Sequence, residues 1–331
     1  MRNEYHVPAL AAAFVRDGRI VAAVAVGVRR NDRSEPVAID DRFHLGSVSK
    51  PFTATVIATL VEEGKLDWGT TVAEVFPDLT DRVDPAYLNV TLENLLSHRA
   101  GVSASAEDER IARAADVEGT PQQRRRAATL RFLARPAVVP PGTQHVYSNA
   151  GYMIAAAMAE ERAGVPWETL VHERLSEPLG LTSLGFGWPA KDDPAQPWGH
   201  YPSPRGPIPH DPNDSYQVGP LLGPAGDLQM NITDLARFAL LHLDGVRGRA
   251  RLLSPESFQR LHRPIGDYAL GWNVRETADH HLGGMGTFLA GIWISKPRNV
   301  AIVMATNMDP DPAIVSAVIT GTLRTFRVPE P

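Results

Sequence analysis

Ser47 stands three residues before Lys50 in the stretch F-H-L-G-S-V-S-K-P-F-T, Phe43 to Thr53. A serine hydroxyl attacks a carbonyl only when a neighbour takes its proton. Residues three apart share one helix face with roughly 5–6 Å between their Cβ atoms, so the Lys50 amine reaches the Ser47 hydroxyl if a helix starts here. Pro51 agrees with such a start, because the first helical turn has few intrahelical donors to lose. The backbone N–H of Ser47 is then free to point at an oxyanion. Of the four lysines, Lys50, Lys65, Lys191 and Lys296, only Lys50 has a serine three positions earlier.

A charged lysine is a poor base. Its ordinary pKa of about 10.4 leaves roughly one molecule in a thousand neutral near pH 7, so a lowering by about three pH units, on the order of 4 kcal/mol, is required. Burial and a second cation supply such shifts. The alternative is a tyrosine phenolate held by a cationic lysine, in which case the two groups titrate as a pair. A tyrosine suited to that part occurs in P-P-G-T-Q-H-V-Y-S-N-A-G-Y, Pro140 to Tyr152, where a Pro-Pro-Gly turn leads into Tyr147-Ser148-Asn149 and an Ala-rich helical run follows. Tyr147 exchanges protons, and Asn149 both donates and accepts hydrogen bonds, orienting Lys50 and a substrate amide or ester. The rival Tyr87-Leu88-Asn89 lies in P-A-Y-L-N-V-T-L and reads as an ordinary loop before a helix. A third cluster, H-H-L-G-G-M-G-T-F, spans His280 to Phe288. His281-Leu282-Gly283 suits an edge strand, and Gly284 permits close approach of backbone to a ligand.

With S-V-S-K, Y-S-N and H-L-G in that chain order, the sequence resembles the serine β-lactamase and penicillin-binding-protein superfamily, nearest to class C β-lactamases and their esterase and D-stereospecific peptidase relatives. Supporting segments are L-L-S-H-R-A-G-V (Leu95 to Val102), E-P-L-G-L-T (Glu177 to Thr182), D-L-A-R-F (Asp234 to Phe238) and L-G-W (Leu270 to Trp272). The resemblance implies that Ser47 is the acylated nucleophile, Lys50 its proton partner and Tyr147 the general base that also serves the leaving group or the deacylating water. It implies further that Asn149 fixes Lys50 and the substrate, and that the N–H groups of Ser47 and Gly284 form the oxyanion hole. His281 and Gly283 then border the substrate. The departure is in the third motif, where β-lactamases commonly carry K-T-G. A histidine is only partly charged near neutral pH, and leucine offers no hydroxyl to a substrate carboxylate. A neutral ester or a small D-amino-acid derivative suits such a site better than a β-lactam, so a carboxylesterase is the expected activity and a D-peptidase or β-lactamase the alternative. A silent binding protein of the same fold is the reading from another class, and it has no need to keep all four proton-handling groups.

The elements that must bring these residues together are legible in outline. Ala9 to Val15, Asp17-Gly18 and Ile20 to Val28 read as a hairpin with a tight primed turn. Phe288 to Ser295 and Val300 to Thr306 are β-rich runs around Lys296-Pro297-Arg298-Asn299, and Ala313 to Phe326 is an apolar helical segment. Between these ends the pattern is mainly helical. Phe52, Val56, Ile57, Leu60 and Val61 share one face of a helix that stops at Gly64. Leu92 to Ser97, Tyr152 to Glu161, Trp167 to Leu175 and Ile232 to Leu243 are further helices, and Trp188 to Gly226 reads as a long irregular crossing or lid, with Trp198, Tyr201 and Tyr216 at a substrate mouth. The expected fold is α/β (α+β): an antiparallel sheet built from both chain ends and flanked by helices, with an inserted, mainly helical lobe. The expected division is 1–70 with 250–331 as a discontinuous sheet-bearing lobe and 71–249 as the helical lobe, with the active site between them.

Composition bounds the rest. The 331 residues are 43% hydrophobic and 21% charged, as for an ordinary folded protein, and their length favours two lobes. A net charge of −5 gives no positive field for nucleic acid. The one basic cluster, Arg124, Arg125, Arg126, Arg131 and Arg135, follows the acidic Glu107, Asp108 and Glu109 and reads as a solvated helix face. Cysteine is absent, which removes thiol nucleophiles, disulfides and Cys-ligated metals. His172-Glu173 lacks the second histidine of H-E-x-x-H, and no G-x-S-x-G elbow surrounds Ser47. No metal or cofactor is therefore expected. The expected partner is a small ester, amide or lactam. No run of 18 apolar residues and no signal-peptide core occurs, so the expected setting is cytoplasmic, without a membrane.

Overall fold

The computed structural model describes residues 1–103, 118–214, 219–249 and 251–329. Glu107, Asp108, Glu109 and Tyr216, singled out above, lie outside the described residues.

Both chain ends enter one antiparallel sheet of six strands: β1 (Ala9–Arg16), β2 (Arg19–Gly27), β3 (Asn273–Val274), β4 (Asp279–Gly284), β5 (Leu289–Ser295) and β6 (Val300–Thr306). Their order is β2-β1-β6-β5-β4-β3. Asp17 and Gly18 both take positive φ, at 51° and 78°, which closes the β1–β2 hairpin as the Asp-Gly pair requires. Period-2 alternation sends Ala9, Ala11, Ala13 and Val15 into the main core and Leu10 and Phe14 to the opposite face. That opposite face is covered by the C-terminal helix Ala313–Thr325.

Among the described residues the uninterrupted α-helices of eight residues or more are α1 (Ser49–Glu62), α2 (Pro121–Leu133), α3 (Asn149–Ala163), α4 (Gly219–Gly226), α5 (Ile232–Val246) and α6 (Ala313–Thr325). Helix α5 packs on β1, β2, β5 and β6. Helix α1 departs from the one-faced pattern expected of it, since every residue from Ser49 to Leu60 is buried. Small Ala and Thr residues fill the face that the large apolar side chains leave, so the helix is enclosed on all sides. Its hydroxyls are tied off locally or to neighbours: Thr53 donates to the Pro224 carbonyl at 2.7 Å, and Trp167 Nε1–H donates to Thr53 Oγ1 at 3.1 Å. Behind α1 a buried chain runs from Thr55 Oγ1 to His242 Nε2 (3.1 Å), from His242 Nδ1 to His262 Nε2 (2.9 Å) and from His262 Nδ1 to Asp279 Oδ2 (2.7 Å). Burial holds both histidines below their ordinary pKa, so each is neutral and the chain of single protons ends on a carboxylate. This network anchors α1 to the sheet strand that carries the third motif.

Two expectations need correction. The segment 188–226 ends in helix α4, which packs on α1 and α3. Its G-P-L-L-G-P-A-G sequence reads as loop because Pro and Gly are poor helix formers, and tertiary packing overrides that propensity. Arg125 is not solvated: it is fully buried, with forks to Glu160 (2.9 Å from Nε) and Glu168 (2.9 Å from Nη1) that join α2, α3 and the helix Trp167–Val171. Removing one member of a buried pair strands the other charge. Arg125→Met is accordingly expected to lower unfolding free energy by about 3–5 kcal/mol in a urea titration, with partial recovery on adding Glu160→Gln. Among the described residues no helix is long and apolar enough to cross a membrane.

Candidate active site

Ser47 sits in a single 3-10 turn, Gly46–Val48, directly ahead of α1. Gly46 takes φ 51°, which turns the chain out of Arg42–His44 into the helix. The spacing expected from sequence holds: Lys50 Nζ donates to Ser47 Oγ at 3.0 Å. The same ammonium donates to Asn149 Oδ1 and to the Ala225 carbonyl, both at 2.8 Å. Lys50 is wholly buried, and three acceptors match the three donors of its head. Ala225 had no signature in the sequence, because a backbone carbonyl is supplied by the path of α4 and not by a side-chain type.

Tyr147 arrives from the loop just ahead of α3. Its hydroxyl donates to Ser47 Oγ at 2.8 Å, and Lys50 Nζ lies 4.7 Å from its ring centroid. Ser47 Oγ is thus bonded to both proton-handling side chains. Ser148 caps α3, accepting the Gly151 N–H at 3.2 Å, and Asn149 is the first residue of that helix, so the cap fixes the direction of both site residues around it. The rival Tyr87 is buried, and its hydroxyl donates to the Gly101 carbonyl at 3.1 Å.

His98, noticed in the sequence only as part of L-L-S-H-R-A-G-V, brackets Tyr147. Its carbonyl accepts the Val146 N–H at 2.7 Å, its Nδ1 accepts the Ser148 N–H at 3.1 Å, and its ring lies 4.3 Å from the Tyr147 ring. Nδ1 must be unprotonated to accept that bond. Burial, with the neighbouring positive charge of Lys50, pushes His98 well below its ordinary pKa and keeps it so.

The third motif lies on β4. Strand β3 pairs only with Asp279 and His280, so the edge from His281 onward is open towards the Ser47 turn. Gly283 abuts that turn: a Cβ there would stand 2.6 Å from the Ser47 nitrogen and 2.0 Å from the Leu45 carbonyl oxygen. Met285 N–H donates to Phe288 at the end of the β4–β5 hairpin, and the register pairs Gly283 with Ala290 and Gly284 with Leu289. Alternation along an antiparallel strand then turns the Gly284 N–H away from β5, to the open edge beside Ser47. His281 is buried, donating Nδ1–H to the Gly271 carbonyl at 2.7 Å, and burial together with Lys50 lowers its pKa to about 3. It carries no charge near neutral pH. Leu282 faces the opposite side of the sheet, where it lines a groove of about 450 Å³ with Gly291, Trp293 and Met304.

Of the aromatic residues expected at a mouth, Tyr201 stands beside the β4–β5 hairpin tip, 4.0 Å from where a Cβ on Gly286 would be. Trp198 packs under the Arg30 guanidinium, 4.1 Å from its ring centroid.

The neutral histidines give the fold a pH dependence. His281 and His98 have folded pKa values below the ordinary value near 6.5, as does His200, lowered to about 4 mainly by burial. Below pH 6.5 the unfolded chain binds protons that the folded chain refuses, so stability is present above that pH and is lost as pH falls towards about 3–4. For His281 alone the full difference is roughly 4–5 kcal/mol at the acid limit. The thermal midpoint by calorimetry is expected to fall between pH 6.5 and 4.5, and more shallowly in His281→Asn.

A family model described as Beta-lactamase matches residues 1–319. Penicillin-binding protein 4 of Amycolatopsis lactamdurans is 29% identical, over 85% of this chain and 72% of its own length. An unguisins hydrolase of Aspergillus campestris is 27% identical, over 92% of this chain and 59% of its own. Among solved structures, the octameric penicillin-binding protein homologue from Pyrococcus abyssi superposes with a TM-score of 0.79 at 22% identity, covering 98% of this chain and 75% of that one. SurE superposes with a TM-score of 0.79 at 27% identity, covering 96% of this chain and 72% of its own. The α/β fold with its antiparallel sheet and flanking helices is the one these structures share, and the chain belongs to the Beta-lactamase family of serine hydrolases.

Proposed function

We propose that the protein is a carboxylesterase that turns over small esters through an acyl-enzyme on Ser47. The observation that carries this reading is the pair of bonds to one oxygen: Ser47 Oγ lies 3.0 Å from Lys50 Nζ and 2.8 Å from Tyr147 OH. Because three acceptors suit the charged form of Lys50, the reacting form is the one in which Tyr147 has released its hydroxyl proton to solvent, and the phenolate, held by the Lys50 ammonium, takes the Ser47 proton. Oγ bonds to the ester carbonyl carbon while the N–H groups of Ser47 and Gly284 stabilise the oxyanion. The C–O bond to the alcohol breaks, and the alcohol leaves with that proton. Water then gives a proton to the same pair and attacks the acyl carbon, and Ser47 recovers its proton as the acid departs. Asn149 holds Lys50 and orients the substrate. Gly283 keeps the strand against the Ser47 turn, and His281 contributes a neutral wall.

The neutrality of His281 and the outward turn of Leu282 favour esters over carboxylate-bearing lactams. The same reading divides the chain into a sheet-bearing lobe of 1–70 with 250–331 and a helical lobe of 71–249 with the site between them, although α5 of the second packs on the sheet of the first. A second reading, peptidase or β-lactamase action, draws on relatives named penicillin-binding protein and unguisins hydrolase. The test is a stopped-flow burst with p-nitrophenyl acetate and butyrate beside nitrocefin and a D-Ala-D-Ala peptide, with Ser47→Ala as control. A burst and turnover on the esters, lost in Ser47→Ala, is expected. Faster turnover of nitrocefin or the peptide would give the second reading precedence.

A further inference from the structure

The turn that carries Ser47 is fastened by a buried imidazole and a buried carboxylate. His44, the last residue of the strand Arg42–His44, is fully enclosed, and its Nδ1 accepts the Gly46 N–H at 3.2 Å. A neutral imidazole that accepts at Nδ1 carries its proton on Nε2. That nitrogen lies 3.2 Å from Asp227 Oδ1, so the carboxylate fixes the tautomer that the Gly46 N–H needs. Trp188 packs on the same ring, with 4.6 Å between the centroids. The Gly46 carbonyl is held as well: Ser49 Oγ donates to it at 2.8 Å and accepts the Leu228 N–H at 3.1 Å. Both tethers of the turn therefore end on consecutive residues, Asp227 and Leu228.

The Gly46 carbonyl and the Ser47 N–H belong to one planar peptide and point in opposite directions. Fixing Gly46 at its own N–H and at its carbonyl thus aims the Ser47 N–H, which donates to no protein acceptor among the described residues. The turn also has little room to shift: a Cβ on Gly46 would stand 2.9 Å from the Gly283 carbonyl carbon, and one on Gly226 would stand 3.7 Å from the Gly46 carbonyl carbon. The Ala225 carbonyl that binds Lys50 lies two residues before Asp227, so one short stretch serves both the ammonium and the turn. From this we infer that His44 and Asp227 are positioning residues: through the Gly46 N–H they hold the Gly46–Ser47 peptide so that the Ser47 N–H meets the oxyanion formed on acylation. The inference rests on Ser47 being the acylated residue. Both side chains act through the backbone. A donor aimed in advance at a developing oxyanion works in the transition state and little in the ground state, so loss of the clamp slows acylation and leaves ester binding in place.

The experiment follows the stopped-flow burst with p-nitrophenyl acetate over a range of ester concentrations. His44→Gln keeps a donor for Asp227 and removes the acceptor of the Gly46 N–H. Asp227→Leu frees the imidazole to place its proton on Nδ1, facing that N–H. In both variants the limiting acylation rate is expected to fall about 10–100-fold, less than the 10²–10³ that follows outright removal of an oxyanion donor. The half-saturating ester concentration is expected to change less than about twofold, as for an interaction made only in the transition state. Asp227→Asn, whose Oδ1 still accepts from Nε2–H, is expected to stay within about threefold of the wild-type rate. Burst amplitude per chain separates the clamp from a folding defect, because a misfolded fraction lowers the amplitude and leaves the rate of the remainder unchanged. Hydrogen exchange of the peptide containing Gly46 supplies a readout without turnover, expected to be about tenfold faster in His44→Gln with exchange across α3 unchanged. Unchanged acylation rates in His44→Gln and Asp227→Leu, or losses confined to the amplitude, would overturn the inference, as would a rise in the half-saturating concentration that accounts for the whole effect. No burst in the wild-type protein beside faster exchange in His44→Gln would instead count against the Ser47 chemistry and leave the clamp on the turn standing.

Discussion

A Tyr147→Phe protein is expected to lose about 10²–10⁴ in kcat on p-nitrophenyl butyrate while folding normally, the range set by removal of a positioned general base. The substitution takes away one oxygen, 2.8 Å from Ser47 Oγ, and leaves the ring that lies on His98 at 4.3 Å. That hydroxyl is at a partly exposed position, so no buried polar atom is orphaned on the tyrosine side. The loss should appear in both acylation and deacylation, since the same oxygen takes a proton from Ser47 and later from water. In single-turnover experiments the burst rate and the steady-state rate fall together. A fall confined to steady-state turnover would assign Tyr147 to water activation alone and leave the Ser47 proton to Lys50.

The larger loss is expected from Lys50→Met. Lys50 Nζ bonds Ser47 Oγ, Asn149 Oδ1 and the Ala225 carbonyl at once, so its removal frees Ser47 Oγ and leaves the buried Ala225 carbonyl without this donor. A stranded buried acceptor costs about 1–3 kcal/mol. The phenolate form of Tyr147 also loses the cation that stabilises it, and residues acting as one unit fail together. Activity is expected to fall by about 10⁴-fold or more, below Tyr147→Phe, and the double variant should be no worse than Lys50→Met alone. Measurement of kcat/KM for both single variants and the double variant checks this. Losses that multiply would show that the two side chains act separately.

What was legible in the sequence was whatever rests on local spacing. Ser47 and Lys50 meet because three residues span one helical turn, Asp17-Gly18 closes a hairpin because few residues tolerate positive φ, and Tyr147-Ser148-Asn149 introduces a helix through a serine cap. What stayed hidden rests on contacts between distant segments. The Ala225 carbonyl reaches Lys50 across 175 positions, through a helix whose prolines and glycines argue for a loop. Arg125 looks like one of a run of solvated arginines until Glu160 and Glu168, 35 and 43 positions on, enclose it. His98 holds Tyr147 through one carbonyl and one ring nitrogen, and only the fold brings residues 50 positions apart into that bond. The third motif reads as an edge strand, which it is from His281 onward, yet its packing against the Ser47 turn depends on Gly283 lacking a side chain, which only the approach of Leu45 and Ser47 reveals.

The most direct measurement is to quench the protein during the burst with p-nitrophenyl acetate, digest it, and locate the added acetyl group by mass spectrometry. One acetyl group per chain, on the peptide containing Ser47, absent after longer incubation and absent in Ser47→Ala, is the result this account predicts. An acetyl group on any other residue, or continued turnover by Ser47→Ala at the wild-type rate, would contradict it.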